Sequence, residues 1–245
     1  MSLVDQTLGW LTDPGHWSGS NGIPVRLLEH LGLSGAAFVI AVAIALPIGL
    51  AVGHTGRGAV FAVNLANLGR AVPSLATIGI VAPLTQAFDP ALGFTFYPTL
   101  IGLVVLALPP ILVNAYAGVA GVDRDLIEAA RGMGMREWQI LRGIEIPISV
   151  PVILAGLRLA AVTIVATANL GAIFGFGGLG RYLVDGIAQN DDGQLFGGVV
   201  LAAGLTLLTE AGFALLQRAV ESPGLRRSGL ADAQAAGRPP AGAPA

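Results

Sequence analysis

The chain of 245 residues contains no cysteine and no lysine. Without cysteine it forms no disulfide, offers no thiolate to a metal and has no cysteine nucleophile. Without lysine it cannot hold a Gly-x-x-x-x-Gly-Lys-Ser/Thr phosphate loop. Charge is scarce: 11% of residues are charged against 54% hydrophobic, with a mean hydropathy of +0.74. A water-soluble domain of this length needs far more surface charge, which excludes the ordinary soluble classes. The only histidines, His16, His30 and His54, are scattered near the ends of apolar runs. A membrane-embedded enzyme needs His and carboxylates gathered at active-site spacing; solitary histidines such as these are expected at interfaces.

What the chain does have is long stretches with few or no ionisable residues. Leu33 to Gly53, Gly58 to Leu84, Tyr97 to Val119 and Ile148 to Phe174 each reach the roughly 20 helical residues needed to cross hydrocarbon. Leu195 to Leu216 makes a fifth, interrupted only by Glu210. The runs are continuously apolar, without the ten-residue alternation of a barrel strand, so helices are expected. Gly and Pro are common in membrane helices, and Pro47, Pro73, Pro109 and Pro110 are read as kinks. The start, Met1-Ser2-Leu3-Val4-Asp5, lacks a basic segment, so the first long run is expected to act as an uncleaved insertion signal.

All thirteen basic residues are Arg, and their placement predicts orientation. With five spans, one side receives Arg57, then Arg124, Arg131, Arg136 and Arg142, then Arg218, Arg226, Arg227 and Arg238; the other receives only Arg26 and Arg181. The Arg-rich side is expected in the cytoplasm, with the amino terminus outside and the carboxyl terminus inside. Residues 1–30, carrying Trp10, Trp17 and Arg26-Leu27-Leu28-Glu29-His30, read as an extracytoplasmic, interfacial segment. Residues 31–220 form the transmembrane part, and residues 221–245, rich in Ala, Gly and Pro, read as a disordered cytoplasmic tail. No internal repeat is visible.

Between two spans lies a charged, helix-forming insert at residues 123–145. Asp123 suits a helix N-cap, Leu126, Ile127 and Ala130 give an apolar face, and Gly132 and Gly134 supply a turn. A second short helix, Arg136 to Gly143, is expected to end near Pro147. Leu126, Met133, Met135, Trp138, Ile140 and Leu141 offer more apolar surface than a water-facing loop needs, which points to a partner protein. The plainer alternative is an amphipathic connector lying on the bilayer.

These residues resemble a known family. Glu128-Ala129-Ala130, then Gly132 and Gly134, then Ile146-Pro147, are similar to the EAA loop of ABC importer permeases, the coupling helix that sits in a groove of a cytoplasmic ATPase. Asn67 with Pro73-Ser74-Leu75-Ala76, Pro109-Pro110-Ile111-Leu112 with Asn114, and Gly175-Phe176-Gly177-Gly178-Leu179-Gly180 resemble stretches of the osmoprotectant subgroup, which imports glycine betaine, choline or carnitine. A departure is Arg70-Ala71-Val72, which places a charge where a neutral amide is usual in the subgroup. The resemblance implies an all-α, polytopic bundle of five or six transmembrane helices with the type I ABC importer permease fold, in the bacterial cytoplasmic membrane. It implies a non-enzymatic transport subunit that binds no cofactor; ATP and Mg would be used by the partner ATPase. The implied partners are that ATPase, a second permease chain (identical or paralogous), an extracytoplasmic substrate-binding protein and membrane lipid, with no nucleic acid. Coupling to the ATPase would fall to Glu128, Ala129, Ala130, Gly132, Gly134 and Pro147.

For the translocation path, Asn64, Asn67, Arg70, Ser74 and Thr77 gather on one broad helical face. An intramembrane Arg is costly unless it meets water or a partner; the plainer alternative for the Asn and Ser residues is hydrogen bonding between helices. Thr163 with Thr167, and Thr206 with Glu210, repeat the pattern, and Glu210 suits either Arg70 or Arg158 as a partner. Gly175, Gly177, Gly178 and Gly180 suit a close-packed re-entrant turn, a candidate outer gate, against the alternative of a plain flexible loop. The chain is poor in aromatics, so the residues do not specify a quaternary ammonium cage. A permease for another solute such as an amino acid is the alternative reading, and an ion-coupled secondary transporter a more distant one.

Overall fold

The computed structural model describes residues 2–58, 60, 64 and 74–220. Among them there are helices and no strand. Helix α1 (Leu3–Thr12) starts on a capping box, in which Ser2 Oγ accepts from the Asp5 amide and Asp5 accepts from that of Ser2. Helix α2 (Ile23–Thr55) carries the first apolar run and ends where Gly56 adopts a φ of 66°. Then come α3 (Ser74–Phe88) and α4 (Phe96–Ala120). The insert forms α5 (Arg124–Gly132) and α6 (Glu137–Ile140), followed by a π turn at Leu141–Glu145. Helix α7 (Ile146–Thr167) passes into a 3₁₀ segment, Ala168–Phe174, and α8 (Gly180–Gln189) and α9 (Asp192–Val220) complete the chain.

Four helical stretches among the described residues are long and apolar enough to cross a membrane: Ile23–Thr55, Phe96–Ala120, Glu137–Phe174 and Asp192–Val220. About half of the expected span at Gly58 to Leu84 lies outside the described residues, including Asn67, Arg70 and Pro73; residues 74–84 belong to α3. Pro47, Pro109 and Pro110 are carried inside helices assigned without a break.

The centre of the bundle is α4, with α2 on one side and α7 on the other. Their contact surfaces repeat every fourth residue. Leu33, Ala37, Ala41, Ala45 and Gly49 on α2 are buried, as are Leu103, Ala107, Ile111, Ala115 and Val119 on α4. Gly156, Ala160, Ile164 and Ala168 continue the pattern on α7 and the segment after it. Lipid is as apolar as leucine, so burial alone does not hold such helices together; small residues let backbones approach and gain dispersion contact. A Cβ added at Gly49 would lie 2.7 Å from that of Ala115, and one at Gly156 only 2.5 Å from that of Asn114.

Helix α9 has few buried residues, and Leu207, Leu208 and Leu215 stand exposed. It is fastened at two places. Near its start, Gly197 lies under the Trp10 ring and Gly198 under Tyr182. Further along, Glu210 forms an ion pair with Arg158 of α7, whose guanidinium also donates to Gln217 Oε1 at 3.3 Å.

Candidate functional site: the insert and its seat

The insert is a compact two-helix knob. Asp123 Oδ1 accepts from the Asp125 amide at 3.0 Å and caps α5, as expected. Ala130 is buried and Ile127 half-buried, whereas Leu126, Glu128 and Ala129 are exposed. The two glycines differ. Gly134 has a φ of 85° and makes the turn, a conformation that favours glycine, while Gly132 is still helical. A Cβ at Gly132 would meet no atom of this chain.

Across the turn, Arg131 holds Glu137 through two bonds, Nε to Oε1 at 2.7 Å and Nη2 to Oε2 at 2.9 Å. That fork fixes α5 against α6. The hydrogen bonds from Arg131 hold the Glu137 carboxyl below the usual carboxylate range, and Glu137 in turn raises the Arg131 guanidinium. The Arg142 guanidinium lies 5.2 Å from the centre of the Trp138 ring. Leu126, Met133 and Trp138 leave large apolar surface uncovered, Met133 being 77% and Trp138 61% exposed.

The structure departs from the expected end of the insert's second helix. The second helix of the insert does not stop near Pro147. After α6 the backbone widens into the π turn, closed by the Ile146 amide bonding Leu141 O, and runs straight into α7. Pro147 sits in the first turn of α7, where a missing N–H is tolerated. The knob is thus one piece with a span.

The seat of the knob is the end of α2. His54 Nδ1 lies 2.5 Å from Glu145 Oε2, and its Nε2 lies 3.4 Å from Glu137 Oε2. Glu145 is buried at 2% exposure, and Ser149 Oγ donates to its backbone oxygen at 2.6 Å. Beside them opens a cavity of about 420 Å³ lined by Gly53, His54, Tyr116, Arg124, Glu128 and Glu145, among others. His54 and Glu145 were not recognisable as partners from sequence, since 91 positions separate them.

At the opposite end of α2, Gly175 and Gly178 have φ of 82° and 75°. Glu29 Oε2 accepts from the Gly178 amide at 2.8 Å and from Arg26 Nη1 at 2.9 Å. A Cβ at Gly177 would fall 2.1 Å from Glu29 Oε2, and one at Gly180 2.3 Å from Asn169 O. His30 Nε2 lies 3.0 Å from Val165 O. Gly177 and Gly178 are therefore close-packed on α2, and Gly180 on Asn169 of the 3₁₀ segment.

Of the polar residues proposed for a path, Asn64 is exposed and Ser74 and Thr77 are half-buried; Asn67 and Arg70 lie outside the described residues. Thr163 and Thr206 donate to carbonyls of their own helices, Leu159 O and Ala202 O. Glu210 pairs with Arg158.

The profile of the family described as "Binding-protein-dependent transport system inner membrane component" matches residues 41–222. The chain belongs to this family. It is 33% identical over 225 residues to the carnitine transport permease OpuCB of Listeria monocytogenes, covering 92% of this chain and 98% of that one. It is 32% identical over 198 residues to the glycine betaine/carnitine/choline permease OpuCB of Bacillus subtilis, covering 81% and 88%. The osmoprotectant import permease OsmW of Salmonella typhimurium is 31% identical over 198 residues, covering 81% and 91%. The MetNI methionine ABC transporter in an inward-facing conformation shares the fold, with a TM-score of 0.74 at 22% identity over 86% of this chain and 100% of that one. The protein is thus the permease subunit of an ABC importer: a multi-pass membrane protein whose system includes a separate ATPase and a substrate-binding protein.

Proposed function

We propose that this permease imports a small osmoprotectant, of the class of glycine betaine, choline or carnitine, with the insert seated in the cytoplasmic ATPase. The observation that carries the coupling part is the knob itself: rigidly forked by Arg131 and Glu137, continuous with α7, yet presenting Leu126, Met133 and Trp138 uncovered. Apolar area of that kind is normally buried by a partner. Glu128, Ala129, Ala130, Gly132 and Gly134 form or border this face, and Pro147 joins it to α7. The empty space over Gly132 is room for a partner's side chain. The substrate class is supported by the relatives, whose names mark them as carnitine, choline and osmoprotectant permeases over most of their length.

In this reading the knob faces the cytoplasm and the glycine turn the outside, as the Arg distribution supports, with the amino terminus outside and the carboxyl terminus inside. Asn64, Asn67, Arg70, Ser74 and Thr77 line the path, which two permease chains enclose. Gly175, Gly177, Gly178 and Gly180 form its outer gate. ATP and Mg act in the partner.

Uptake of labelled betaine, choline and carnitine at high osmolarity, with and without this chain, tests the substrate; loss of another solute's import instead, such as an amino acid's, overturns it. A cysteine placed beside Trp138 should resist a reagent that cannot enter intact cells. Glu128→Lys and Gly132→Asp should leave the chain in the membrane while the ATPase no longer co-purifies; full co-purification with both refutes the coupling assignment.

A further inference from the structure

Beneath the knob lies a cluster of four side chains, Arg131, Glu137, His54 and Glu145. His54 stands in the last turn of α2, on a rigid base: a Cβ at the neighbouring Gly53 would fall 2.7 Å from the Val119 Cβ and 3.0 Å from Tyr116 O of α4. Two carboxylates from the far side of the sequence flank its ring, Glu145 at 2.5 Å and Glu137 at 3.4 Å. Glu137 is shared with Arg131. Arg131, Glu137, His54 and Glu145 thus form one continuous string of side-chain contacts. Among the described residues no group of three or more His, Asp or Glu side chains could hold a metal ion.

The string has a dry end and a wet end. The Glu145 side chain is 3% exposed and that of His54 12%, against 55% for Glu137. Removing the partner of a buried carboxylate is costly, whereas an exposed pair is screened and exchanges readily. Glu145 is also the last residue of the π turn where the knob becomes α7, and such turns often mark functional positions. His54 therefore ties the end of α2, itself locked to α4, to the point at which the knob enters the bundle.

We infer that the His54–Glu145 contact is the closed joint through which displacement of the insert reaches the helix bundle, with Glu137 as a second, exchangeable contact on the same imidazole. His54 and Glu145 are positioning residues for transport and do not bind the ATPase. This rests on the insert being the ATPase-facing segment.

The test uses the assembled transporter, with its ATPase and binding protein, in vesicles. His54→Gln and Glu145→Gln should each retain the ATPase and its hydrolysis while solute moved per ATP hydrolysed falls about tenfold. The double variant should be no worse than either single, because both remove one contact. Glu137→Gln should lower the ratio only about twofold. An unchanged ratio in both singles, a double loss equal to the product of the singles, or loss of the ATPase from the complex overturns the joint. Because the chain has no cysteine of its own, a His54→Cys/Glu145→Cys variant provides a second reading, usable even if a single variant fails to accumulate. Bridging the pair with a short bifunctional thiol reagent should restore the coupled transport that is lowered about tenfold before bridging; a bridged pair that blocks transport shows that the contact must open and refutes the proposal. Trp138→Ala separates the two readings: if the ATPase stays bound to it, the docking assignment fails whatever the joint variants do.

Discussion

The two ends of α2 are fastened by different means. Near Ile23, side chains hold backbone: Glu29 takes the Gly178 amide, His30 meets Val165 O, and Tyr182 Oη donates to Asn21 O at 2.8 Å. Near Thr55, side chains hold side chains, through His54 with Glu145 and Glu137 with Arg131. A clamp on backbone selects one conformation of a glycine-rich turn that has no side chains to fix it. A string of side-chain contacts instead joins two preformed helical bodies and tolerates small changes in their relation. One end is built to keep a shape, the other to pass on a displacement.

The largest effect expected of any change that breaks this contrast is at the glycine turn. Gly180→Val places a side chain on Asn169 O and should cost about 3 kcal/mol, seen as lost accumulation and a lowered melting temperature. Glu29→Ala leaves the Gly178 amide without its acceptor and should cost about 2 kcal/mol, whereas Glu29→Gln, which keeps an acceptor, should cost under about 1 kcal/mol. At the knob, Trp138→Ala should leave thermal stability unchanged, because the ring is largely exposed, yet reduce retained ATPase by about tenfold in co-purification. A glycine-turn variant that detached the ATPase without unfolding would erase the distinction.

The smallest effect concerns pH. The Glu137 carboxyl lies below its ordinary range because Arg131 bonds it. A lowered folded pKa means that the pair's contribution is complete above the ordinary carboxylate range and is lost only as pH falls through the lowered value. Moving from about pH 7 to about pH 5 should therefore leave the fork intact. Proteolytic sensitivity of the insert at the two pH values measures this; marked opening at the lower one would show that the fork is weaker than its geometry.

Much of the architecture was legible because hydrocarbon is an unforgiving solvent. Runs such as Tyr97 to Val119 cannot be mistaken when charge elsewhere is so sparse, and the 123–145 insert stands out for the opposite reason. The Asp123 cap, the Gly134 turn and the close packing of residues 175–180 followed from local backbone chemistry. Less visible was the passage through Pro147: a proline after short charged helices reads as a stop, yet the helix runs on through the π turn into α7. The three histidines read alike, as solitary interfacial residues, yet His54 lies between two carboxylates.

By itself the sequence determined the solvent, the helical class and the position of the knob, since each depends on composition within one segment and on a solvent that penalises every unpaired polar group. Tertiary structure alone decided which charges meet: Glu210 with Arg158, Glu29 with the glycine turn and His54 with Glu145. Coulomb attraction and hydrogen bonding act over a few ångströms, and which residues come that close is set by how the Ala and Gly stripes of α2, α4 and α7 mesh. Small residues say that helices approach closely, but not which helix lies beside which.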